Sequence, residues 1–142
     1  MMLLAILLHV TLLHVFDGDT ILVRNESGRL ARIRLSGIDA PESVQPFGAE
    51  SRESLAQLVS GCPLVVEIET SDRYGRLVAR VSCGDHDVSL EQVIRGLAWS
   101  DPLYSREEQL ARALHRGLWS QRDPIPPWRF RRLRSPPEIP SH

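Results

Sequence analysis

Arg32-Ile-Arg-Leu-Ser-Gly-Ile-Asp-Ala-Pro-Glu42 is the stretch on which the fold of this chain turns. It opens with the alternation of a strand: Ala31, Ile33 and Leu35 fall on one face, and Leu30, Arg32 and Arg34 on the other. Gly37 and Pro41 then end regular pairing and force a turn. That turn carries two carboxylates, Asp39 and Glu42, close behind the cation Arg34.

Upstream, Leu3 to Val15 is a nearly continuous apolar run that reads as a long strand; Asp17-Gly18-Asp19-Thr20 interrupts it and Ile21 to Arg24 resumes it. Asn25-Glu26-Ser27-Gly28 is a turn cluster, so the strands on either side form a hairpin, and Leu30 to Leu35 completes a meander. Downstream, a helical segment from about Ala49 to Val59 offers Leu55, Leu58 and Val59 as its apolar face, and Gly61 stands where a helix-ending glycine belongs. Leu64 to Glu69 and Leu77 to Val81 are two further strands around the turn Ser71-Asp72-Arg73-Tyr74-Gly75. Ser89 with Gln92, and Ser105 with Glu108, read as capping boxes of two more helices, whose stripes run to Gly96 and Gly117. Five strands with a helix between the third and fourth make an OB-type barrel, so the expected class is α+β, mainly β, with three packed α-helices.

At 142 residues the chain suits a single compact domain. We expect that domain over residues 1–128 and an Arg- and Pro-rich tail over 129–142. The net charge of −1 excludes a globally basic nucleic-acid binder, so any phosphate-binding surface must be a local concentration of charge. All 17 basic residues are Arg, the side chain suited to forked phosphate contacts. Cys62 and Cys83 are too few for a disulfide scaffold or a zinc site; flanking a hairpin, they fit either a cross-strand disulfide or two reduced thiols. The first ten residues read as a buried strand or as the remnant of a leader, without a basic n-region or an A-x-A-like site. Trp99 and Trp119 lie on apolar stripes and read as core. Arg129, Arg131, Arg132 and Arg134, with Trp128 and Phe130, read first as a solvated terminus and second as a nucleic-acid contact.

The chemistry-bearing residues form two groups. Asp17, Asp19, Asp39 and Glu42 are acids at strand ends; hard cations such as Ca²⁺ want several oxygen ligands, and Asp19, Asp39 and the carbonyl of Ala40 would supply them. Arg34 and Arg76 are cations suited to the negative charge that builds on a phosphodiester under attack by water, and Glu42 suits the orientation or deprotonation of that water. Taken singly, each acid reads as a solvated turn residue and Arg76 as the partner of Asp72. The ordered set is much harder to obtain by chance.

That set resembles the staphylococcal nuclease-like (thermonuclease) family. The matching segments are VFDGDTILV (15–23), RIRLSGIDAPES (32–43), QPFGAES (45–51), DRYGRLVARV (72–81), IRGLAW (94–99) and ARALHRGLW (111–119), and PIPPW (124–128) is similar to the tail of bacterial members. The resemblance implies one bound Ca²⁺ held by Asp19, Asp39 and the Ala40 carbonyl, with Asp17 standing behind them. It implies Glu42 as general base, with Arg34 and Arg76 as the catalytic arginines. Tyr74 and Arg73 would meet the nucleotide, and Tyr104 is the nearest candidate for a further substrate tyrosine, in a segment that departs from the family pattern. It further implies a monomer cleaving DNA and RNA to 3′-phosphate ends, with no stable protein partner and no membrane association in the mature form, and it favours an extracytoplasmic location. The competing readings are a non-catalytic OB-fold module binding nucleic acid or protein, and an OB-fold oligosaccharide binder that needs none of these arginines.

Overall fold

The computed structural model describes residues 4–134. Its strands are β1 (Leu7–Asp17), β2 (Thr20–Asn25), β3 (Leu30–Leu35), β4 (Ile38–Asp39), β5 (Leu64–Ser71), β6 (Leu77–Cys83), β7 (His86–Asp87) and β8 (Trp99–Ser100). The helices are α1 (Gly48–Val59), α2 (Val88–Ile94), α3 (Ser105–Ala113) and α4 (Pro127–Arg134), with short 3-10 turns at Pro102–Tyr104 and Gly117–Ser120. The run of β1, β2 and β3 is an antiparallel meander, β1 also pairs with β5, and β5 pairs with β6. A parallel pairing of β3 with β6, Ile33 opposite Leu77 and Leu35 opposite Ala79, closes the barrel. The expected five-stranded barrel is therefore present, and its closure leaves β3 no free edge.

The alternation read from the sequence is what fills the barrel. Ile21, Val23, Ile33, Leu35, Leu64, Val66, Ala79 and Val81 are buried, and α1 and α2 pack Leu55, Val59, Val88 and Val93 into the same core. A second cluster gathers Trp99, Ala111, Leu118 and Trp119, with Phe47 against it, so both tryptophans are core residues as expected. Among the described residues no helix is long and apolar enough to cross a membrane.

Four details differ from expectation. The first strand begins at Leu7 and runs to Asp17; the start expected at Leu3 lies outside the described residues. Asp87, not Ser89, caps α2: its side chain accepts from the N–H of Leu90, while the Ser89 hydroxyl donates to the carbonyl of Ser36. The Ser105–Glu108 box is also absent, because Glu108 Oε1 accepts from the N–H of Ser100 and Tyr104, not Ser105, is the N-cap residue of α3, with no side-chain cap bond. The fourth difference is α4, a helix in the segment read as tail.

Gln92, expected to serve a cap, instead lies buried between the layers. Its Nε2 donates to the carbonyls of Gly18 (2.9 Å) and Ser51 (3.0 Å), and its Oε1 accepts from the Ser54 hydroxyl (2.6 Å). The Asp17–Asp19 turn is thereby fastened to α1 and α2. Gly18 is needed at that junction, since a Cβ there would collide with the Ser51 hydroxyl and the Ala40 methyl.

Cys62 and Cys83 are joined in a disulfide, with Cα atoms 5.8 Å apart, which decides between the two cysteine readings. Closing a loop across a sequence separation of 21 residues removes chain entropy from the unfolded state, on the order of 3 kcal/mol. The double variant Cys62→Ser/Cys83→Ser is expected to unfold at correspondingly lower denaturant, and dithiothreitol is expected to shift the wild type but not the variant. Identical unfolding midpoints for the two proteins would contradict the assignment.

Candidate active site

The acids and arginines are delivered by the ends of adjacent elements. Asp17 ends β1 and Asp19 follows in the turn; Arg34 lies on β3 opposite Thr20 of β2; Asp39 lies on β4; and Arg76 stands just before β6. Leu35 donates its N–H to the Asp19 carbonyl, so the first acidic turn and the end of β3 are held edge to edge. Asp19 Oδ2 then accepts from the N–H of Ala40 at 2.8 Å, tying the two acidic turns together.

Arg34 sits at the junction. Its Nη1 donates to the carbonyls of Leu35 (2.7 Å) and Ile38 (2.8 Å), and its Nη2 lies 3.4 Å from Asp19 Oδ2 and 3.3 Å from Asp39 Oδ1. Asp19 and Asp39 thus converge on one guanidinium from two turns. Across the cleft, Arg76 Nε donates to Asp72 Oδ2 at 2.7 Å, while the Arg76 guanidinium lies 5.5 Å from the centre of the Tyr74 ring. Arg73 donates to the Tyr74 hydroxyl at 2.7 Å. The pairing of Arg76 with Asp72 is present, and it uses Nε, leaving the terminal fork outside that bond.

Asp17, Asp19, Arg34, Asp39, Ala40, Glu42, Arg73, Tyr74 and Arg76 all line one cleft of about 530 Å³, together with Arg32 and Arg131. Tyr104 is not brought there: it is buried, and its hydroxyl donates to Asp87 Oδ2 at 2.6 Å. Burial and then that hydrogen bond to Asp87 push the Tyr104 hydroxyl well above the ordinary phenol range.

Glu42 is positioned by a residue the sequence reading passed over. Gln45 is buried, accepts from the Glu42 N–H at 2.7 Å and donates through Nε2 to the carbonyl of Ile125 at 2.8 Å. The start of α1 approaches so closely that a side chain at Gly48 would collide with the Glu42 carbonyl. Arg131, read from the sequence first as part of a solvated terminus and second as a nucleic-acid contact, also belongs to the cleft. Its Nη1 donates to Glu42 Oε1 at 2.6 Å and its Nη2 to Asp39 Oδ2 at 3.2 Å. The available signal was the tryptophan of PIPPW, since Trp128 anchors α4 by packing edge-on against Trp99, with ring centres 6.2 Å apart.

The electrostatics favour an added cation. Burial first, and then the neighbouring Asp19 charge, push the Asp17 carboxyl up to about 7; the same two causes raise Asp39, against the pull of Arg34. On the outer side Asp72 behaves oppositely: hydrogen bonds from Arg76 and Tyr74 overcome desolvation and hold it below the ordinary carboxylate range. Among the described residues no three His, Cys, Asp or Glu side chains are grouped as a ready-made metal site. The donor chemistry still fits a hard ion. Every acidic group in the cleft offers oxygen, Asp19 and Asp39 among them, and such an ion completes its shell with backbone carbonyls and water.

Residues 32–121 match the family described as "Staphylococcal nuclease homologue", a span holding Arg34, Asp39, Glu42 and Arg76. The chain belongs to the staphylococcal nuclease family. Among relatives in that family, an "Uncharacterized endonuclease" of Escherichia coli is 40% identical over 131 residues, covering 87% of this chain and 85% of that protein. The "Staphylococcal-like nuclease CAN1" of Arabidopsis thaliana is 40% identical over 107 residues, covering 71% of this chain. An "Uncharacterized 38.1 kDa protein" of Capnoides sempervirens is 43% identical over 110 residues, covering 73% of this chain. The chain spans only about a third of the two plant proteins, at 33% and 32% of their lengths. The match to the staphylococcal nuclease family and the names of the Escherichia coli and Arabidopsis thaliana relatives support a nuclease function.

Proposed function

We propose that this chain is a metal-dependent nuclease that hydrolyses phosphodiester bonds of DNA and RNA with little sequence specificity. The observation that carries the reading is the convergence of Arg34, Asp19, Asp39, Glu42 and Arg76 on one polar cleft. Asp19, Asp39 and the Ala40 carbonyl would hold one Ca²⁺, which when bound neutralises a phosphate oxygen and orients the diester. Glu42 takes a proton from a water aligned for attack on phosphorus. Its backbone is held in place by Gln45, which accepts from the Glu42 N–H. Arg34, pinned by two main-chain carbonyls, and Arg76, oriented by Asp72, donate to the oxygens on which charge builds.

The resemblance to the family implies that the attack expels the 5′-oxygen and that the products carry 3′-phosphates. Tyr74 stacks on a neighbouring base and Arg73 meets its phosphate. Contacts of these kinds carry little sequence information, which accounts for action on both nucleic acids. Mass spectrometry of a short oligonucleotide incubated with the protein and Ca²⁺ tests this directly. Fragments ending in 3′-phosphate are expected. An oligonucleotide left intact would remove the nuclease reading, whereas 5′-phosphate ends would reverse the leaving-group assignment alone.

A further inference from the structure

We infer that Arg131, carried over the cleft by α4, is a third phosphate-contacting cation that exchanges the Glu42 and Asp39 carboxylates for substrate phosphate. The inference rests on the nuclease reading of the cleft and adds a residue to it.

Three observations support the assignment. First, α4 is docked and not merely adjacent. Pro127 is buried, Trp128 packs edge-on against Trp99, which packs in turn against Trp119, and the preceding Ile125 carbonyl accepts from Gln45. Arg131 lies three residues after Trp128, so the helical face that is anchored also presents the guanidinium to the cleft.

Second, Arg131 shares a carboxylate with an assigned catalytic arginine. Arg34 takes Asp39 Oδ1 at 3.3 Å and Arg131 takes Asp39 Oδ2 at 3.2 Å. Two guanidinium groups flanking one carboxylate lie within reach of one phosphate. Third, the two differ in exposure. The Arg34 side chain is 17% exposed and fixed by main-chain carbonyls, whereas that of Arg131 is 51% exposed and is held in the cleft by Glu42 and Asp39. Carboxylate and phosphate present the same paired-oxygen geometry to an arginine fork, so an arriving diester can take over these bonds. The exchange releases Glu42 Oε1 at the moment its lone pair is needed by the attacking water.

The test is calorimetric binding of a deoxynucleoside 3′,5′-bisphosphate in Ca²⁺, a ligand with phosphates but no diester to cut. Wild type, Arg131→Ala and Arg131→Lys are compared at several salt concentrations. Arg131→Ala is expected to bind about tenfold more weakly, with the slope of log affinity against log salt reduced by about one. Arg131→Lys should recover the slope without the full affinity, because it keeps the charge and loses the fork. Trp128→Ala, which unseats the helix, should reproduce the Arg131→Ala result, and thermal melts report whether each variant is folded.

Unchanged affinity and slope in Arg131→Ala overturn the inference, as does a wild type that fails to bind the bisphosphate. Tighter binding with faster cleavage also overturns it, by making Arg131 a plug. A wild type that binds the bisphosphate yet cuts no diester would remove the nuclease reading and leave the phosphate contact standing.

Discussion

Glu42→Gln is expected to lower kcat by about 10²–10⁴-fold, the range over which a positioned general base acts. The substitution keeps the shape of the side chain and an oxygen able to accept from Arg131, and it leaves the Gln45 bond to the Glu42 N–H untouched. Folding stability should therefore change little, and the loss should fall on turnover. Steady-state cleavage of a labelled single strand, paired with a thermal melt, separates the two effects. A variant within about tenfold of wild type in kcat would strip Glu42 of the role of base.

Arg34→Ala is expected to cost about 10²–10³-fold in kcat, the usual consequence of deleting a donor to developing transition-state charge. Its effect should reach further than that of Glu42→Gln. Arg34 also ties together Leu35, Ile38, Asp19 and Asp39, so its removal leaves the two carboxylates without the guanidinium they share. Arg34→Lys separates charge from geometry: it restores a cation but cannot bond two carbonyls and two carboxylates at once. We expect the lysine variant to melt closer to wild type than the alanine variant while remaining deeply impaired in turnover. Near-normal cleavage by Arg34→Lys would show that charge alone is sufficient there.

The barrel was legible because its strands advertise themselves. Ile33 and Leu35 alternate with Arg32, Arg34 and Ser36, Ile21 to Val23 is a short apolar run, and the turns between strands hold Gly, Asn and Asp. The two-residue strands β4, β7 and β8 carry no such signal, since their pairing comes from segments distant in sequence, as when Ile38 meets Ser100. The same reason misplaced the start of α2. Asp87 is fixed as its cap by the pairing of β7 with β6, which no local motif reveals.

The site divides along similar lines. Asp19, Arg34, Asp39, Glu42 and Arg76 sit in short motifs at strand ends, and the fold brings all of them to the cleft. Gln45 and Arg131 act through partners far along the chain: Gln45 through Ile125, and Arg131 through Glu42, 89 residues before it. Helix α4 illustrates the obstacle most clearly. A short, charged helix next to a proline-rich segment has little stability of its own, and it forms where Trp128 can pack on Trp99. Tyr104 is the converse case, an aromatic near the expected place whose hydroxyl donates to Asp87.

Plasmid digestion with Ca²⁺, with excess EDTA, and with Ca²⁺ restored after EDTA tests the central claim most directly. Joint service of Asp19 and Asp39 to a bound divalent ion predicts rapid cutting, near-complete arrest on chelation and full recovery on restoration. Cutting that proceeds unchanged in EDTA would contradict it.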